Sequence, residues 1–186
     1  MKRLFLFISL HLLIFLILII SYSQAEEDWS VNRFKDYSYA AVSGEIQHGD
    51  KFAFILMPED NCNKITTMFS FYTWNDPGDY RQLIDKHIPI KLNNIETTAE
   101  VIEIIQVHDG LKVIFTLGVY PIEEYTYIIH NLYKNDKKYE IEIVDGINFK
   151  ANKYFDITVN RWKLENFIPS IKKAIKICKD FPNINT

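Results

Sequence analysis

The feature that most restricts the fold of this 186-residue chain is a series of short segments in which apolar and polar residues alternate. The clearest two lie at 99–107 and 111–119, on either side of the turn residues His108, Asp109 and Gly110. Asp-Gly between two alternating segments favours a β-hairpin, because these residues tolerate the backbone conformation of a tight turn. The period of two places the apolar residues of the second segment on one face: Leu111, Val113, Phe115, Leu117 and Val119.

Segments of the same kind, separated by turn residues, occupy most of the chain after residue 40. The predicted strands are 40–47, 52–57, 65–74, 99–107, 111–119, 125–133, 138–144 and 154–159. We expect 125–133 to pair with 138–144, while 80–87 fits either a short helix or a loop. Strands this short and regularly spaced form antiparallel sheets rather than βαβ units. The expected fold class is therefore mainly β, an antiparallel β-sandwich or a curved sheet.

One helix is predicted, at 166–179, packed against the sheet. Its apolar residues recur with helical spacing on a single stripe: Leu164, Phe167, Ile168, Ile171, Ala174, Ile175 and Cys178. Asn166 can cap the helix, and Pro169 is compatible with it because proline is tolerated in the first turn. The lysines are expected to face water: Lys172, Lys173, Lys176 and Lys179. The stripe fits either the core or a membrane surface, and the presence of Cys178 on it favours the core.

The N-terminus has the composition of an export signal. Two basic residues precede an apolar stretch at 4–20, and the small residues Ser23 and Ala25 follow it. This order is typical of a secretory signal peptide. We therefore expect residues 1–25 to be removed after Ala25, which leaves one β-rich domain at 26–182 in the periplasm or outside the cell. The alternative is an uncleaved membrane anchor, because the apolar stretch approaches the length of a spanning helix.

Export changes the interpretation of Cys62 and Cys178, the only two cysteines. An oxidising compartment favours a disulfide between them. Their separation excludes a Cys-x-x-Cys redox pair, and neither has a neighbouring histidine, so we expect no metal site. A disulfide that closes a loop of this size contributes about 4–5 kcal/mol in the chain-entropy model. It would attach the C-terminal helix to the segment around Cys62.

Composition and motifs exclude several function classes. The 21 basic and 24 acidic residues give a net charge of −3, which argues against a nucleic-acid-binding surface. The sequence has no nucleophile elbow, phosphate-binding glycine loop, zinc-binding histidine pair or calcium loop, so we expect no enzyme activity, cofactor or metal. His48 and His108 each lie beside aspartate and glycine in a hairpin loop. They are compatible with simple turn chemistry, or with a small periplasmic hydrolase or carbohydrate-active enzyme.

The remaining feature that indicates a function is a group of aromatic residues. The predicted strand at 65–74 places Phe69 and Phe71 on one face and Met68, Tyr72 and Trp74 on the other. In a fold of two layers only one of these sets belongs to the core. The set with Trp74 is therefore a candidate patch for a ligand or partner, unless a second layer covers both faces.

Several elements occur in a recognisable order: the signal peptide, Trp29 near the mature start, the antiparallel strands, and a closing segment at 155–178 that ends in a cysteine. This layout resembles the invasion-associated locus B family, small exported proteins of Gram-negative bacteria with a β-sandwich-like body. Members usually carry cysteines close to the early tryptophan, whereas the first cysteine here is Cys62. The resemblance implies an envelope role, including contact with a host, and supplies no catalytic residues.

The expected function is thus that of an exported, non-enzymatic β domain that acts by binding. Its partner would be an envelope protein, a host protein or a small ligand, and its oligomeric state is left open. Membrane attachment is expected only if the signal segment is retained.

Overall fold

The computed structural model of the chain describes residues 29–47, 49–136 and 138–181. The predicted signal peptide at 1–25 and its cleavage site lie outside the described residues. Within these three ranges, no helix has both the length and the apolar character needed to cross a membrane.

The domain is built on one antiparallel sheet of nine strands. The strands are β1 Trp29–Phe34, β2 Tyr37–Ser43, β3 Lys51–Leu56, β4 Lys64–Thr73, β5 His87–Leu92, β6 Ile95–Val107, β7 Gly110–Pro121, β8 Tyr139–Ile143 and β9 Val159–Trp162. Their order across the sheet is β1-β2-β3-β4-β7-β6-β5-β8-β9. The predicted mainly β fold class is confirmed, and the architecture is a curved sheet.

The sheet curls until its two ends approach each other. Gly44, just after β2, forms an isolated bridge with Trp162 of β9. The Glu45 amide donates to the Arg161 carbonyl at 2.8 Å. β-bulges interrupt the β4–β7 and β6–β7 ladders, and such bulges increase the bend of a strand. The curl gives the sheet a concave inner face and a convex outer face.

The inner face is filled by aromatic side chains. The Phe69 and Phe115 rings stack with centroids 4.8 Å apart, and those of Phe52 and Tyr139 lie 4.6 Å apart. The alternation along β4 matches the prediction, because Phe69 and Phe71 are buried there. The largest side chains with almost no exposed surface include Trp162, Tyr139, Phe52, Phe54, Phe69, Phe71, Phe115, Phe155 and Phe167.

The bulge between β4 and β7 overturns the expectation for Val119. Beyond it, Val119 lies opposite Thr66 instead of continuing the inner face. Val119 is consequently 54% exposed, whereas Val113 and Phe115 before the bulge are fully buried. One extra residue in a strand reverses the side chains that follow it.

The described part of the chain also contains three α-helices: α1 Ile122–Asp136, α2 Ala151–Tyr154 and α3 Phe167–Lys179. The prediction of a helix at 166–179 is confirmed, with Asn166 at the N-cap position but without a capping hydrogen bond from its side chain. The Phe167 ring lies 4.9 Å from that of Phe54, and the Ser38 hydroxyl donates to the Ala174 carbonyl at 2.8 Å. The apolar stripe of α3 therefore belongs to the core.

The predicted disulfide between Cys62 and Cys178 is present, with an S–S distance of 2.07 Å. Both residues are buried. Cys62 lies in the loop before β4, and Cys178 lies in the last turn of α3. The bond attaches the C-terminal helix to the strand that carries the aromatic patch.

The segment predicted as a strand at 125–133 is part of α1, and that prediction was wrong. Ile122, Tyr125 and Ile129 are buried, at the spacing of one helix face. The prediction of a strand at 154–159 is also wrong, because α2 ends at Tyr154 and β9 begins only at Val159. With α1 helical, β8 pairs instead with β5 and β9. The segment at 80–87 contains a 3₁₀-helix, Tyr80–Leu83.

Candidate functional site

Tyr72 and Trp74 lie side by side on the outer face, where β4 ends. Their ring centroids are 5.0 Å apart and their planes meet at 83°, an edge-to-face arrangement. Trp74 is 58% exposed, whereas Trp29 and Trp162 are buried. The two long helices pack on the inner side of the sheet and leave this pair uncovered. We call Tyr72 and Trp74 the aromatic corner.

Met68, the third residue of the predicted patch, lies on the same face but outside the corner. It precedes Tyr72 by four positions, which corresponds to about 13 Å along a strand. Its side chain is half-buried, opposite Ala53 on β3 and Thr116 on β7. The structure thus places Tyr72 and Trp74 together and Met68 apart from them.

Gly110 leaves the space that Tyr72 occupies. A Cβ at position 110 would collide with the Tyr72 hydroxyl group and lie 2.8 Å from the Thr73 carbonyl oxygen, so any side chain there would displace Tyr72. That hydroxyl donates to the Val107 carbonyl at 3.4 Å. The glycine of the predicted Asp-Gly turn therefore also determines how the aromatic corner packs.

A buried carboxyl group holds the backbone beneath the corner. Asp50 accepts hydrogen bonds from the Tyr72 amide at 2.7 Å and from the Asn160 side chain at 3.0 Å. Asn160 in turn accepts from the Ile46 amide at 3.0 Å. Burial raises the pKa of Asp50 to about 7, and the hydrogen bonds from Asn160 and Tyr72 offset this only in part. The loop between β2 and β3 is thereby tied to β4 and β9.

Two exposed carboxylates flank the aromatic corner. The Trp74 amide donates to Asp156 Oδ1 at 3.1 Å, and Asp109 lies at the tip of the β6–β7 hairpin. Burial raises the pKa of Tyr72, and the negative charges of Asp109 and Asp156 raise it further. The corner therefore combines an exposed indole with two nearby negative charges.

A basic side chain is also close to the corner. Lys112 lies opposite Tyr72 on β7, and its ammonium group donates to the Gly49 carbonyl at 2.9 Å. This hydrogen bond directs the positive charge of Lys112 toward the loop between β2 and β3.

The chain on both sides of Trp74 is attached to α2. The Thr73 hydroxyl donates to the Tyr154 carbonyl at 2.8 Å, and the Asn75 side chain donates to the Asn152 carbonyl at 3.1 Å. These bonds hold the backbone of Trp74 in place. The indole is thus presented from a fixed segment of the fold.

The histidines considered for catalysis are placed differently. His108 and Asp109 are exposed at the hairpin tip, where the Gln106 side chain donates to the His108 backbone carbonyl. His48 lies outside the described residues. Among the residues that the structure describes, no group of three or more His, Cys, Asp and Glu side chains could hold a metal ion.

Sequence reasoning missed the polar residues that support the corner. Asp50 and Asn160 are 110 positions apart, and Trp74 and Asp156 are 82 apart. Asp50 follows Gly49 in a hairpin loop, where aspartate has an ordinary role as a turn former. Its burial follows from the curl of the sheet, which the local pattern does not contain.

A comparison with known proteins finds no family model, no curated protein and no solved structure that matches this chain.

Proposed function

We propose that the protein is an exported, non-enzymatic binding domain that captures a positively charged group at the aromatic corner. The observation that carries the proposal is the exposure of Trp74, whose indole lies edge-to-face with the Tyr72 ring and whose backbone amide is bonded to the Asp156 carboxylate. The face of an aromatic ring attracts a cation, and tryptophan does so most strongly. A neighbouring carboxylate adds a direct charge attraction.

The ligand class is an ammonium or guanidinium group carried by an envelope or host protein, or by a small molecule. A single cation–π contact at an exposed site contributes only about 0.5–1 kcal/mol. Useful affinity therefore needs the carboxylates of Asp109 and Asp156 as well, and a ligand with more than one basic group. A basic peptide is the simplest probe with these properties.

The test is the binding of fluorescently labelled pentalysine, followed by anisotropy at low salt. We expect Trp74→Ala and Asp156→Asn each to weaken binding several-fold, because each removes one attraction for the ammonium group. Tyr127→Ala is the matched control, since Tyr127 is an aromatic residue on α1 that is 70% exposed. It should leave the affinity unchanged.

The proposal fails if Trp74→Ala binds pentalysine as tightly as the unaltered protein does. It also fails if a peptide whose lysines are acetylated binds equally well, because acetylation removes the charge. An unchanged far-UV circular dichroism spectrum for each variant ensures that a loss of affinity reports on the aromatic corner.

Export is tested on the protein recovered from expressing cells. We expect mass spectrometry to show an N-terminus at Glu26, as cleavage after Ala25 requires. A chain that retains residues 4–20 would instead support the membrane-anchored alternative.

A further inference from the structure

The solvent face of α3 carries a row of lysines. Lys172, Lys173, Lys176 and Lys179 are all exposed. Within the described ranges, none of the four belongs to a salt bridge or a side-chain hydrogen bond, whereas the six ion pairs present lie elsewhere. The helix contains no acidic residue that could neutralise them.

The end of β1 extends this positive surface. The Arg33 guanidinium lies 3.9 Å from the ring centre of Phe181, just beyond α3. Lys35 follows in the turn between β1 and β2, where it is exposed. We call the whole set the basic face, and it comprises Arg33, Lys35, Lys172, Lys173, Lys176 and Lys179.

The basic face is opposite in sign to the remainder of the domain. Its six basic residues have two acidic sequence neighbours, Asp36 and Asp180. The rest of the chain from Trp29 onward contains thirteen basic and nineteen acidic residues. The domain is thus strongly polarised although its total charge is small, and such a distribution orients a protein toward a negatively charged surface.

We propose that the basic face docks on the surface of an anionic phospholipid bilayer. Lysines on long stems are spread along a helix of 13 residues, about 20 Å in length. Such a row fits many separate headgroups, since each lysine acts as a point charge without the bidentate geometry of arginine. Basic residues close to an anionic membrane each strengthen the attachment.

The apolar atoms among the lysines favour a lipid surface over a nucleic acid. Ile168 and Ile175 pack against the core but are only half-buried, so part of each side chain reaches the surface between Lys172 and Lys179 along one ridge of α3. Lysine stems and aliphatic side chains suit the boundary between headgroups and acyl chains. The exposed residues of α3 include no aromatic ring on which a base could stack.

The position of the N-terminus supports the same choice. The apolar stretch ends at Ile20, nine positions before Trp29, and nine extended residues span at most about 32 Å. The Trp29 ring lies 6.1 Å from that of Phe167, at the start of α3. While the apolar stretch is still attached and inserted in a membrane, this short connection therefore keeps the start of α3 close to that membrane.

The test uses co-sedimentation of the protein, as recovered from expressing cells, with vesicles of phosphatidylcholine with or without phosphatidylglycerol. We expect stronger binding to the anionic vesicles, and the difference should decrease as salt is raised. Changing Lys172, Lys173, Lys176 and Lys179 to glutamine should weaken the partition into anionic vesicles by several hundredfold, about tenfold for every 1.4 kcal/mol lost.

A control variant loses the same charge elsewhere: Lys51→Gln, Arg81→Gln, Lys86→Gln and Lys134→Gln. These residues are exposed and lie outside the basic face, so this variant should retain most of the binding. Equal binding to neutral and anionic vesicles would overturn the proposal, as would equal losses in the two variants. Binding to a short DNA duplex but not to anionic vesicles would also overturn it.

Discussion

Asp50 shows how one buried side chain makes stability depend on pH. Burial raises its pKa to about 7 in the folded protein, from an ordinary value of 3.8. A carboxyl group with a raised folded pKa stabilises the fold most fully below its unfolded pKa. That contribution is lost as the pH rises through about 7.

We therefore predict that the free energy of unfolding decreases by about 2–3 kcal/mol between about pH 5 and pH 8. Asp79, Glu140 and Asp145 have lowered pKa values, so their titration lies below this window. Urea unfolding at several pH values measures the effect. In Asp50→Asn the slope should flatten, and a slope equal to that of the unaltered protein would contradict the assignment.

Gly110 provides a second test at the level of one residue. In Gly110→Ala the new methyl group would collide with the Tyr72 hydroxyl. We expect a loss of about 1–3 kcal/mol in stability and a change in the accessibility of Trp74 to acrylamide. Trp74 is the exposed one of the three tryptophans, so quenching of fluorescence reports on the corner.

The matched control is Gly49→Ala, because a Cβ at Gly49 would meet nothing within 4 Å. If both alanine variants have the same stability and the same quenching, the contact between Gly110 and Tyr72 does not shape the corner.

At the scale of elements, the sequence predicts hairpins better than it distinguishes α1 from a strand. The turn residues Asp109 and Gly110 locate β6 and β7 correctly, because turn geometry is a local property. Residues 122–136 are rich in tyrosine and isoleucine, which favour strands. Two features of the segment favour a helix: the four-residue spacing of the buried Tyr125 and Ile129, and the acidic first turn. Packing against the sheet then stabilises the helix over the strand.

The disulfide acts at the same scale, because it joins α3 to the loop before β4. Its loop spans 116 positions, so reduction should cost about 4–5 kcal/mol in the chain-entropy model. We predict that the melting temperature falls by at least several degrees in a reducing agent. The double variant Cys62→Ala, Cys178→Ala should melt at a similarly low temperature and show no further effect of reductant.

Titration of two thiols in the native protein, together with no change in melting temperature on reduction, would contradict that prediction. Both cysteines are buried, so complete reduction requires partial unfolding and should be verified by mass spectrometry.

At the scale of the whole molecule, the strand order was not predictable from local pattern. The pairs β4–β7 and β5–β8 join strands that are distant in sequence, and their choice depends on how the sheet curls. The curl also creates the aromatic corner, since it brings Asp156 to the amide of Trp74. The alternation along β4 predicts which of its side chains face outward. It does not predict which carboxylates lie beside them, because those residues are distant in sequence and are brought close only by the complete fold.

The bridge between Gly44 and Trp162 has a consequence for the motions of the domain. A single isolated bridge joins the two edges there, whereas neighbouring strands in the rest of the sheet are paired along several residues. Few backbone hydrogen bonds cross this line, and buried side-chain contacts hold the rest of it, such as those of Asn160 with Asp50 and of Trp162 with Phe52. A local fluctuation of the exposed segment at Glu45 can therefore free its amide while every strand pair stays intact. The Glu45 amide, bonded across the line to Arg161, should therefore exchange with deuterated solvent well before the amides at the centre of β4.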